Sequence, residues 1–139
     1  MKRTLGLLVL AFLFFSTSAW AADIRVMDSA GVEILVKEIS IDYGGLLGTD
    51  KETEGIRVSQ GEALVTAKWI DVDTLTVTGR DAALSRMTVE IALKSGKKVN
   101  AVLVRKGRMK LEGKADLGDY SIDLEKVKKL TVVSAAPAK

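Results

Sequence analysis

Met87, Val89, Ile91 and Leu93 alternate with Thr88, Glu90, Ala92 and Lys94. A period of two places one set on each face of an extended strand. Ser95-Gly96 breaks the run, and Lys97 to Arg105 resumes it with a Val-rich stretch. The same layout appears earlier, where Asp28-Ser29-Ala30-Gly31 separates Ile24–Met27 from Val32–Ile41. Ile56–Val58 and Ala63–Thr66 flank Gln60-Gly61, and Leu75–Thr78 and Leu130–Val133 are short β-branched runs. No apolar stripe of helical period is sustained anywhere. Glycine punctuation between alternating runs suits hairpin turns, so the chain predicts an all-β fold.

Residues 1–21 stand apart. Lys2 and Arg3 precede an apolar run from Leu5 to Phe15, and Ala19-Trp20-Ala21 supplies small residues at the two positions a signal peptidase reads. This is the layout of a secretory signal peptide. The run is about half the length a membrane-spanning helix needs. Cleavage is expected near Ala21, giving an exported product, periplasmic or secreted, of 118 residues without a transmembrane segment.

The full chain of 139 residues contains neither Cys nor His. Disulfides, thiolate metal sites and iron–sulfur clusters therefore drop out. So do the commonest general base and the commonest metal ligand. No cofactor or metal is expected, and the chain reads as a non-enzyme.

An internal correspondence organises the remainder. Val65–Val77 set beside Tyr120–Val132 aligns Val72, Leu75, Thr76 and Val77 with Val127, Leu130, Thr131 and Val132, and places Trp69 opposite Leu124. The Gly31 turn matches the Gly96 turn at an offset of 65 residues, against 55 in the later block. The difference falls in the Gly-rich, charged stretch Tyr43–Gly55. Trp69, Val72, Leu75 and Leu124, Val127, Leu130 are each spaced by three, which predicts a 3₁₀ turn before a last strand. The segment Gly118–Val127 resembles the end of SH3-like or Sm-like small barrels, in which a strand, a 3₁₀ turn and a closing strand follow one another. The resemblance implies a fold and no ligand. It predicts two tandem small barrels packed together, an acidic module over 22–79 and a basic one over 80–133, with 134–139 as a flexible tail. One antiparallel β-sandwich is the alternative. Modules of this size barely sustain a core alone, so the copies should pack on each other or the chain should oligomerise.

The charge division is steep. Residues 22–79 hold 5 basic and 11 acidic side chains, a net of −6, whereas 80–139 hold 14 and 7, a net of +7. Lys94, Lys97, Lys98, Arg105, Lys106, Arg108, Lys110 and Lys114 concentrate around two expected hairpins. This makes the first seven the candidate anion- or partner-binding residues, with an anionic cell-envelope ligand or a protein as the partner class. A solvated, aggregation-resistant edge is the simpler reading of the same lysines. Nucleic acid is not expected, because no aromatic residues are interleaved with the basic ones for base stacking. Tyr43, beside Gly44-Gly45, is the aromatic expected to stand exposed as a recognition residue.

Three enzyme-like or metal-like arrangements are weaker. Asp50, Glu52 and Glu54 alternate in an oxygen-rich loop, but Lys51 intrudes and the spacing is not that of a calcium loop. Asp71 and Asp73 read as polar neighbours of a buried Val72. Ser95 with Lys97 or Lys98 is the one Ser–Lys arrangement available for a hydrolase, and Ser95-Gly96 reads more simply as a turn. The sequence therefore supports an exported, non-catalytic binding or scaffolding module. A small carboxylate- or Ser/Lys-dependent hydrolase and a self-assembling structural component are the alternatives.

Overall fold

A computed structural model describes residues 22–44, 50–81, 83, 86–104 and 109–135. The described chain is all-β. Its strands are β1 (Asp23–Asp28), β2 (Glu33–Asp42), β3 (Lys51–Glu52), β4 (Gly55–Gln60), β5 (Ala63–Lys68), β6 (Val72–Asp81), β7 (Arg86–Leu93), β8 (Lys98–Val104), β9 (Lys110–Ala115), β10 (Gly118–Asp123) and β11 (Val127–Ser134). Two 3₁₀ turns, Trp69–Asp71 and Leu124–Lys126, precede β6 and β11 at the two places where apolar residues are spaced by three. The expected signal peptide, residues 1–21, lies outside the described residues. No helix among those described is long and apolar enough to cross a membrane.

The strands form one curled antiparallel sheet, a half-barrel, in the order β10-β9-β2-β1-β11-β6-β7-β8-β4-β5, with β3 attached to β2. Two barrels, each folded from one contiguous half of the chain, are not what this order gives. The β1–β2 hairpin receives β9–β10 on β2, and the β7–β8 hairpin receives β4–β5 on β8. Each of these added hairpins comes from the other of the two chain segments 22–79 and 80–133. Segments of this size bury only a marginal core alone, and a shared sheet lets both contribute to one. The two five-strand halves meet where β11 pairs with β6, with Leu130 opposite Leu75, flanked by Lys129 opposite Thr76 and Thr131 opposite Thr74.

Local bonding repeats across the halves. Asp28 N–H donates to Val32 O and Gly31 N–H to Asp28 O, as Leu93 N–H does to Lys97 O and Gly96 N–H to Leu93 O. Gly31 and Gly96 have φ of +88° and +96°, which a side chain would disfavour. Trp69 N–H reaches Glu54 O and Leu124 N–H reaches Met109 O, both at 2.9 Å. Lys94 N–H binds Asp71 O and Ser29 N–H binds Lys126 O, again both at 2.9 Å, tying each hairpin turn to a 3₁₀ turn.

The core lies on the concave face. Alternation puts Ile24 and Val26 of β1, Val89 and Ile91 of β7, and Leu75 and Leu130 at the seam inside. Trp69 and Leu124, aligned in the sequence, are each 1% exposed. Among the described residues no polar or charged residue is buried. In β2 the inward parity switches between Val36 and Ile39, at a register shift between Lys37 and Ser40 where Glu38 adopts φ +54°. One extra residue in a strand flips the faces beyond it. β9 crosses this bulge at Gly113, where a Cβ would lie 2.5 Å from Val36 Cγ1 and 2.6 Å from Lys37 O.

Candidate functional site

A cleft of about 390 Å³ lies in the half of the sheet built from β6, β7, β8, β4 and β5. β4 joins β8 at a single registered pair, Ser59 opposite Val102, so the β4–β5 hairpin diverges from β7–β8. Val58, Val65, Val72, Ile91, Val99 and Ala101 form the apolar wall of the gap this leaves. Lys68, Asp71 and Lys94 stand on its rim with Ser95. Lys68 comes from the end of β5, and Lys94 is held at the β7–β8 turn by its backbone bond to Asp71. The site thus offers an apolar slot bordered by two lysines and one aspartate.

The candidate basic residues divide into separate places. Lys94, Lys97 and Lys98 gather at the β7–β8 turn and are exposed. Lys110 sits beyond the far end of β8, whose seven residues at about 3.3 Å each span about 20 Å. There it is half-buried, in register with Asp42 on β2 and Asp123 on β10, so carboxylates flank its charge. Arg105, Lys106 and Arg108 lie outside the described residues. Folding therefore places one of the seven, Lys94, on the cleft, keeps Lys97 and Lys98 in the same turn, and puts Lys110 on another strand between β2 and β10. Lys68, which sequence reasoning left out, joins Lys94 on the cleft through the β4–β5 hairpin.

Tyr43 is not the exposed loop aromatic expected. It is half-buried and packs against the core. Its hydroxyl oxygen accepts the Arg57 backbone N–H at 2.9 Å, and the Arg57 guanidinium stands 4.3 Å from the ring centroid. Arg57 in turn grips both Asp50 oxygens, at 2.9 and 3.2 Å, and lies 3.7 Å from Glu52. Burial raises the Tyr43 phenol above its ordinary value, against the pull of Arg57. Asp50 raises the Arg57 guanidinium further through its hydrogen bonds. This ring, cation and carboxylate stack pins the strand after the Tyr43–Gly55 loop. A guanidinium occupies the place between Asp50 and Glu52 that a cation would need.

The hydrolase arrangements find ordinary structural roles. Asp71 belongs to a 3₁₀ turn and its carbonyl accepts Lys94 N–H, while Asp73 is exposed on β6. Ser95 Oγ accepts the Lys97 backbone N–H at 3.5 Å, a bond within the hairpin turn. The charge division is also folded away. Acidic β2 lies against basic β9, and Lys51 meets Glu112 across that boundary at 3.4 Å.

The cleft was legible in one respect. The residues aligned with Val65 and Ala67 in the other half are Tyr120 and Ile122, both packed partly buried against the core. Replacing Tyr and Ile by Val and Ala removes the side-chain volume that would fill a gap of this kind. Compared with known protein families, with curated proteins and with solved structures, the chain shows no significant match.

Proposed function

We propose that this protein is an exported, non-catalytic binding module whose ligand carries an apolar chain and an anionic end. The observation that carries the reading is the juxtaposition of the apolar slot between β5 and β7–β8 with Lys68 and Lys94 on its rim. Burying an apolar chain there gains about 25 cal/mol per Å² removed from water. Lys68 and Lys94 outnumber Asp71 on this border, which favours a negative end, and Lys97 and Lys98 extend the positive field around the same turn. The signal-like segment at residues 1–21 supports a location at the cell envelope.

The same proposal covers the chain's organisation. Two copies of one small SH3-like unit, duplicated in tandem, have exchanged their second hairpins. The matching turn and 3₁₀-turn hydrogen bonds support this reading, as does the seam of Leu75 on Leu130, which the alignment makes equivalent residues. One copy keeps its groove filled and the other has opened it.

Calorimetric titration of the chain from Ala22 onward with a long-chain fatty acid tests the function. Binding is expected, weakened about tenfold by Lys94→Glu, weakened by added salt, and lost in Val99→Tyr, which fills the slot from β8. Binding unaffected by Val99→Tyr would place the ligand elsewhere and overturn the reading. So would equal affinity for the uncharged alcohol of the same length.

A further inference from the structure

Among the described residues β5 ends the sheet order and pairs only with β4. The β4–β5 turn is the two-residue Gly61-Glu62, with Gln60 opposite Ala63. Residues flanking such a turn exchange both backbone bonds, and the pattern alternates along the ladder. Ala63, Val65 and Ala67 therefore bond to β4, whereas Leu64, Thr66 and Lys68 turn their N–H and C=O groups to the open side. The edge is not blunted. No charged residue stands between Ala63 and Ala67, Leu64 is 72% exposed and Val65 38%. Proteins usually guard such edges with charge, because a free ladder is a template for another strand. β10, the opposite edge, does carry charges at Asp119 and Asp123.

We propose that β5 pairs antiparallel with β5 of a second copy of this chain, about a two-fold axis through Val65. Charge complementarity chooses the occupant and the register. With Val65 opposite the partner's Val65, Leu64 faces the partner's Thr66 and Ala63 faces the partner's Ala67. Glu62 then faces the partner's Lys68, and by symmetry the ion pair forms twice. Among the described residues neither Glu62 nor Lys68 has an ion pair within the chain. Leu64 and Thr66, whose backbone groups point outward, become the hydrogen-bonded pair, and Val65 falls at a non-hydrogen-bonded position. Parity agrees as well. Leu64, Thr66 and Lys68 share one face, and Val65 and Ala67 share the face of the buried Val58 and Ile56, while Glu62 stands in the turn next to Ala63. Opposite charges directly across such a ladder are favourable, and the contact is isologous and closed. The same pairing on β10, about Tyr120, opposes Leu117 to the partner's Asp123 and offers no ion pair; a one-residue shift opposes Asp119 to the partner's Asp123. The sheet thus has one self-complementary edge and one self-avoiding edge.

The absence of cysteine makes the test clean. Opposed non-hydrogen-bonded residues have Cα atoms about 4.5 Å apart, within the span of about 4.4–6.8 Å that a disulfide bridges. Val65→Cys, oxidised and run without reductant, is expected to give mostly covalent dimer that reverts on reduction. Thr66→Cys and, on the other edge, Ser121→Cys are expected to stay monomeric. Light scattering of the unmodified protein is expected to give twice the chain mass. Glu62→Lys is expected to return it to the monomer, and Glu62→Lys with Lys68→Glu to restore the dimer. Monomer mass up to the solubility limit, with no faster cross-linking at Val65→Cys than at Ser121→Cys, would overturn the proposal. Preferential cross-linking at Thr66→Cys would overturn the register. Mass and cross-linking do not depend on the fatty-acid reading, although Val65, Thr66 and Lys68 also line the cleft.

Discussion

The half containing β6, β7, β8, β4 and β5 carries the cleft, whereas in the half containing β10, β9, β2, β1 and β11 Tyr120 and Ile122 pack partly buried against the core. Both contain two hairpins, a 3₁₀ turn and a strand that follows the 3₁₀ turn. They differ in a few side chains. In the β9–β10 half Gly113 lets β9 approach the β2 bulge within contact of Val36, and Tyr120 and Ile122 pack partly buried against the core. The cleft half has Val58, Val65 and Ala67 at the aligned places, and β4 keeps only one registered pair with β8. The comparison shows how one backbone plan yields one half with Tyr120 and Ile122 packed against the core and another that carries a cleft. A glycine sets the approach of two strands, and large side chains at the adjacent edge decide whether a gap remains.

Breaking the seam common to both halves should have the largest effect. Leu75 and Leu130 oppose each other and are almost fully buried. Leu75→Ala and Leu130→Ala are each expected to cost on the order of 2–5 kcal/mol in urea unfolding. The pair should be non-additive because they share one contact. Markedly unequal costs would mean that the halves do not lean equally on the seam.

A smaller effect should sharpen the contrast itself. Tyr120→Val removes the ring from the β9–β10 half and is expected to cost on the order of 2 kcal/mol. Its readout is a second fatty-acid site per chain in calorimetry. A stoichiometry unchanged from the parent would show that Tyr120 is not what fills that half.

The smallest effect concerns pH. Tyr43 and Tyr120, one from each segment of the chain, are both raised above the ordinary phenol value, in each case mainly by burial. A raised folded-state value means that the folded chain holds its protons longer than the unfolded chain. The associated stability is fully present below the unfolded value of about 10 and is lost as pH rises through the folded values. Tyrosinate absorbance should therefore appear late, and urea midpoints should fall above about pH 10. Tyr120→Phe should remove part of that slope at little cost. Tyr43→Phe should also lower stability near neutrality by about 0.5–1.5 kcal/mol, because it strands the Arg57 backbone N–H.

Much of this was readable beforehand. Alternation in Met87–Leu93, the paired turns at Gly31 and Gly96 and the three-residue spacings before β6 and β11 all correspond to observed elements. Trp69 was readable as core from its alignment with Leu124. The bulge at Glu38 leaves a trace, since Val36 and Ile39 are three apart instead of two. Tyr43 was misread because a Gly-flanked aromatic in a charged loop looks exposed. Its partner, Arg57, comes from 14 residues further on.

What the amino-acid order determined by itself is local: strand, turn and 3₁₀ turn, the inward set of side chains, and a chain free of Cys and His. These follow from backbone sterics and from hydrophobic periodicity over a few residues. The tertiary structure alone decided which hairpin pairs with which. β9 and β4 are offered equivalent edges by β2 and β8, and only the closing of one shared core selects between them. The same selection brings Lys68 to Lys94 and carries Lys110 away to Asp42 and Asp123. A charge cluster that is continuous along the chain is therefore divided in space, because strand pairing, not sequence proximity, sets which side chains become neighbours.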